Sequence, residues 1–109
     1  MYKGIVIKES LINPNILSDF KTFKTVVDDD WHLLWVEVDD KGLETIKNNL
    51  IDPSWYAHFA SGNTGFVIFK DKTFEMNIDD RQTWLDAKKH GKSVGIPDEQ
   101  LDFEFSDFV

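Results

Sequence analysis

The chain contains no cysteine in its 109 residues, which excludes a disulfide framework, a thiolate nucleophile and any zinc site built on sulfur. No apolar run approaches the roughly 18 residues that a membrane-spanning helix needs. The opening MYKGIVIKES lacks the charged region, long apolar core and small-residue cleavage site of a secretory leader. These absences lead to the expectation of a cytoplasmic protein with no membrane partner. Positive charge is also scarce, with 12 Lys and Arg against 20 Asp and Glu and a net charge of -8. A nucleic-acid partner is not expected, because phosphate binding requires a clustered cationic surface. From Val94 onward there are five acids (Asp98, Glu99, Asp102, Glu104, Asp107) and no Lys or Arg, so most of the excess sits in the tail.

What the chain has in quantity is apolar and aromatic surface. Hydrophobic residues make up 41% and aromatics 14%, with four Trp and nine Phe, enough to pack one core and to argue against disorder. The length suits one domain, expected over residues 1–97, with 98–109 as an acidic, Phe-rich tail docked on the sheet or on a partner.

Tyr2 to Lys8 is a short β-branched run. Asn13-Pro14 can open one or two helical turns reaching Asp19. Phe20 to Val27 and Trp31 to Val38 read as a hairpin about Asp28-Asp29-Asp30. Leu43, Ile46, Leu50 and Ile51 then share one face of a helix that Asp39 or Asp40 can cap and Asp52-Pro53 stops. Ser54 to Ile78 reads as a three-stranded meander with turns at Ser61 to Gly65 and at Asp71-Lys72. A second helix starts at Asp79 or Asp80, with Gly91, Gly95 and Pro97 as exits. In the tail, Leu101, Phe103 and Phe105 alternate with Asp102, Glu104 and Ser106, a period of two that suits an extended segment. The expected fold is α+β: a ferredoxin-like βαββαβ core with an antiparallel sheet, extended by a β-hairpin and a C-terminal helix.

In Trp31 to Val38 the set Trp31, Leu33, Trp35 points opposite to Leu34, Val36, Val38, so both sides of that strand are apolar. Two readings follow. Either the terminal helix and the tail cover the second side, or a second protomer does, with Trp31, Trp35, Phe103 and Phe105 as the interface.

Motifs with catalytic connotations resolve into structural ones. Gly91-Lys92-Ser93-Val94-Gly95 spells G-x-S-x-G, but a nucleophile elbow needs a strand before the serine and a helix after it, and here the motif closes a helix. It is no phosphate loop either, since Asp86 stands where the first glycine is required. Ser61 to Gly65 reads as a turn, not as an anion nest. His32, His58 and His90 show no metal-ligand spacing, so neither metal nor cofactor is expected. Tyr56 and His58 share a strand face; facing a cleft, they would bind a ligand or exchange a proton with it, and otherwise they belong to the polar side of the sheet. Glu37 and Glu75 sit within strands, which makes them either functional carboxylates or solvent-facing residues.

The segments KGIVIKESL, DPSWYAHF and GKSVGIPDEQLDF resemble a family of small uncharacterised bacterial and archaeal proteins in which S-W-Y-A-x-F and G-x-S-x-G-I-P-x-x-Q-L-D-F recur in the same order. The likeness covers nearly the whole chain. It departs near Asp28 to Trp31, where the family carries a longer connection, and this implies a less covered sheet edge. The resemblance implies a single compact domain and assigns no activity.

Three functional expectations stand in order: a non-enzymatic ligand-binding or protein-interaction module, homodimeric through its sheet or tail; a small enzyme with a cleft around Tyr56 and His58; and an acidic decoy for a basic partner.

Overall fold

In the computed structural model, which describes residues 1–101, the β-rich runs become strands Tyr2–Ile7 (β1), Lys21–Asp28 (β2), Trp31–Val38 (β3), Tyr56–Ser61 (β4), Thr64–Phe69 (β5) and Thr73–Asn77 (β6). They form one six-stranded sheet in the order β2-β3-β1-β4-β5-β6, with every neighbouring pair antiparallel. Two α-helices, Asp40–Asn49 (α1) and Leu85–Ser93 (α2), complete an α+β architecture. Among the described residues no helix is long and apolar enough to cross a membrane.

Local chemistry sets the boundaries. The Asp39 side chain accepts from the Gly42 amide at 2.8 Å and caps α1. Asn13 accepts from the Asn15 amide, and Pro14 opens Pro14–Asp19, but this segment stays a 3-10 helix, with no continuous 3.6-residue apolar stripe to extend it. The β2–β3 turn is Asp29-Asp30, with Asp29 at φ 54°, a conformation Asp tolerates better than most residues. The expected long turn from Ser61 to Gly65 is in fact the two residues Gly62-Asn63, because Ser61 pairs with Thr64 and Gly65 belongs to β5. The strand expected from Ser54 starts at Tyr56: Asp52 accepts from the Ser54 amide at 2.8 Å and folds the chain into a turn first. The second helix also starts later than expected. Asp80 caps a 3-10 turn, Arg81–Trp84, and α2 begins only at Leu85.

Side-chain alternation divides the core between the two faces of the sheet. On the first face, Val6, Val36, Val38, Ala57, Phe59 and Ile68 pack under Ile46 and Leu50 of the α1 region and Leu17 of the 3-10 turn. Phe59 is fully buried because β1 carries Gly4 opposite it: a Cβ at Gly4 would lie 2.2 Å from the His58 carbonyl oxygen and 2.4 Å from the Phe59 ring. On the second face, Ala60, Val67, Phe69 and Met76 pack under Trp84 and Ala87, with Ile96 and Leu101. Leu101 seats its methyl groups where a side chain at Gly91 would stand, 2.4 Å from a Cβ placed there. The helix therefore covers the β4–β6 half of that face.

Candidate functional site

Among the described residues, the β1–β3 half of the second face carries a groove. The register Ile5↔Trp35, Ile5↔His58 and Ile7↔Leu33 sets side chains of β1, β3 and β4 next to one another on this face. Ile5, Ile7 and Leu33 form an apolar floor and are only half-buried, although they lie at the centre of the sheet. Trp31 and Trp55 form a wall, their rings in edge-to-face contact at 5.2 Å. Tyr56, His58 and the segment from Gly95 to Pro97, with Glu99 and Gln100, line the remainder of a cavity of about 840 Å³. That volume lies within the range of ordinary ligand sites, roughly 300–1,000 Å³.

Among the described residues, the polar groups around the groove include Tyr56, His58 and two carboxylates. The Tyr56 hydroxyl donates to the Gln100 carbonyl, which fastens the segment after α2 to β4 at the groove's lip. His58 is half-buried and lies 6.3 Å from Tyr56, ring centre to ring centre. Among the described residues, the carboxylates that line the cavity are Asp28, at the end of β2, and Glu99.

A clamp holds the Trp31 end. Glu9 accepts from the His32 backbone amide at 2.7 Å and meets its Nδ1 at 2.8 Å. Partial burial works to raise the Glu9 pKa, but the backbone and ring hydrogen bonds from His32 outweigh it and hold the carboxyl below its ordinary value. At the other end of the sheet, the hydrogen bond from His90 lowers Asp71 in the same way, and the His90 ring stands 4.7 Å from Phe69 on the α2 side. The three histidines are thus dispersed. Among the described residues no cluster of three or more metal-ligating side chains occurs.

Of the residues singled out from sequence, the fold brings Tyr56, His58 and Trp31 together in the groove. Glu37 shares their face but stands beyond Trp35, in the row of Lys3 and Lys21, outside the cavity lining. Glu75 is exposed on the opposite face, across from Phe66. Trp35 is buried to 7% exposure, with the Lys24 ammonium 4.6 Å from its ring, and so offers no free ring to a partner. Phe103 and Phe105 lie outside the described residues. Ser93 ends α2 with its hydroxyl donating to the His90 carbonyl. Sequence reasoning missed Ile5, Ile7 and Trp55, and named Leu33 only with Trp31 and Trp35 on the second apolar side of β3. The odd-numbered spacing of Ile5 and Ile7 on β1 and of Leu33 on β3 was visible, but their convergence with Trp55, just before β4, needs the pairing of β1 with both β3 and β4. Compared with family models, curated proteins and solved structures, the chain finds no match in any of the three.

Proposed function

We propose that the chain is a non-enzymatic binding module whose site is this groove, and that it takes up an extended protein segment by aromatic and apolar contact. The observation that carries the reading is the floor of Ile5, Ile7 and Leu33: central sheet positions, apolar, half-exposed and walled by the Trp31–Trp55 pair. Titration of the full chain with Phe-containing hexapeptides at millimolar concentration shifts the indole N–H resonances of Trp31 and Trp55, and Trp31→Ala removes the response. No shift at that concentration overturns the reading.

Self-association is the second reading, favoured by the exposure of Phe23, Val27 and Trp31 at 47%, 63% and 43% along edge strand β2 and its turn. Sedimentation velocity at micromolar protein then gives a homodimer, and Val27→Lys gives a monomer. The enzymatic alternative draws less support, because neither Glu37 nor Glu75 stands beside Tyr56 and His58. The decoy reading has only the net charge behind it.

A ferredoxin-like core belongs to the same proposal. The order β2-β3-β1-β4 is that of a split βαββαβ unit, with 3-10 turns in place of the first helix and β5–β6 as the added hairpin. So do membership of the S-W-Y-A-x-F family and a cytoplasmic setting, the latter supported by the absence of cysteine.

A further inference from the structure

We infer that the groove selects a basic segment: a lysine of the bound partner lays its stem over Leu33 and Ile7 and sets its ammonium against Trp31, beside the Asp28 carboxylate. This rests on the binding reading above and names the chemistry of the partner.

The tryptophans carry the first part of the argument. The chain has four. Trp35 has the Lys24 ammonium 4.6 Å from its ring, and Trp84 has the Arg81 guanidinium at the same distance. Trp31 and Trp55 are the other two, and among the described residues no Lys or Arg stands over either. They meet each other instead, with 68° between ring planes, on the wall of the groove. Trp31 keeps 43% of its surface exposed, which leaves indole surface open to a cation that the described chain does not itself supply.

Charge points the same way. Asp28 pairs with Trp31 across the β2–β3 hairpin, so its carboxylate lies on the same side of the sheet as the indole. Among the described residues neither Asp28 nor Glu99 enters an ion pair, and no Lys or Arg lines the cavity. The sequence beyond Leu101 contains no Lys or Arg either. Asp29 and Asp30 follow in the turn and add to the negative potential at this end. A glutamate placed here meets like charge, and an alkyl group leaves the carboxylate unanswered. A lysine answers both the ring and the carboxylate.

The spacing of the floor sets the length of the side chain. Leu33 stands two residues from Trp31 on β3 and opposite Ile7 on β1. Two residues of strand cover about 7 Å, which suits the flexible four-carbon stem of lysine. Its methylenes lie on apolar surface while the charged head stays at the exposed rim.

Hexapeptides that share one Phe and differ at a single position, as Lys, norleucine or Glu, test this on the full chain. The Lys peptide binds about tenfold more tightly than the norleucine peptide, by calorimetry and by the Trp31 indole N–H shift, in keeping with one cation–π contact and one carboxylate acting together. The Glu peptide binds most weakly. Asp28 is exposed at the end of an edge strand, so its variants keep the fold, which circular dichroism checks. Asp28→Asn cuts the Lys preference to about threefold or less and leaves the norleucine affinity unchanged; Asp28→Lys reverses the order of the Lys and Glu peptides.

The outcomes separate this inference from the reading beneath it. Equal affinity for the Lys and norleucine peptides overturns the inference and leaves the binding reading standing. A Lys preference unaltered in both Asp28 variants also overturns it, because the cation is then seated elsewhere. If n-butylammonium alone binds as tightly as the Lys peptide, the occupant is a free amine and the partner segment falls. No response to any peptide at millimolar concentration overturns both readings, as does an indole shift that follows protein concentration and ignores peptide, which assigns the groove to a second copy.

Discussion

The two faces of this sheet are made from the same strands by the same alternation, yet among the described residues one is closed and the other half open. On the first face α1 lies across the centre, and Val6, Val36, Ile46, Leu50 and Phe59 are all fully buried. On the second face α2 sits over β4–β6, and among the described residues the centre of the sheet lines a groove. Apolar content does not distinguish them, since Ile5, Ile7, Leu33 and Trp31 are as apolar as their counterparts. What differs is where the covering helix lands. The first face buries its apolar surface under a helix, and the second keeps part of its own half-exposed among the described residues.

The sharpest way to break that comparison is to cut a residue from each region and compare stabilities. Phe59→Ala empties a fully buried site that Gly4 holds open, and a loss of about 4 kcal/mol in urea unfolding is expected. A loss under about 1 kcal/mol would mean that the first face is not the closed one. Leu101→Ala removes the clasp between α2 and the segment that follows it. The expected loss is about 3 kcal/mol, and a near-neutral result would separate that segment from the core. Trp31→Ala at the groove mouth is expected to cost less than about 1 kcal/mol, because the ring is 43% exposed; its effect falls on peptide binding, read by calorimetry. A stability loss equal to that of Phe59→Ala would reclassify the groove as core.

The smallest effect lies in the acid limb. The Glu9 carboxyl is held below its ordinary 4.5 by the hydrogen bonds from His32. A carboxylate lowered by folding stabilises the fold above its unfolded value, and this contribution is lost as pH falls through the folded value. Glu9→Gln is therefore expected to lower stability slightly at neutral pH and to flatten the decline below pH 4.5. The same acid dependence in variant and wild type would remove Glu9 from the clamp on the Trp31 end.

Much of the architecture was legible in the sequence, and for stated reasons. Leu43, Ile46 and Leu50 announced α1, Asp39 or Asp40 its cap, and the alternation in Trp31 to Val38 a strand with two apolar sides, whereas Ile51, expected on the same helix face, lies past the end of α1 and is 45% exposed. Where local signals were weak, the expectations drifted. Arg81–Trp84 took a 3-10 turn because Thr83 and Trp84 bond to Asn77 of β6, a tertiary contact that no propensity contains. The groove was half legible. Tyr56 and His58 were placed on one face from alternation alone, but Trp55 and Ile5 became their neighbours through a strand order that no local signal encodes. Glu37 and Glu75 were grouped with them on residue type, and register separated them.

The central place of β1 has a consequence for how the molecule is made. It is synthesised before both of its neighbours, residues 31–38 and 56–61. At ribosomal rates the gap between residue 7 and residue 61 takes about 3–10 s, during which the β1 edge that will receive β4 has no partner. Pairings this distant in sequence also slow the search for the native topology once the chain is complete. Among the described strands β1 is thus the one that waits longest for closure, and Lys3 and Lys8 near its ends are placed to keep it in solution meanwhile.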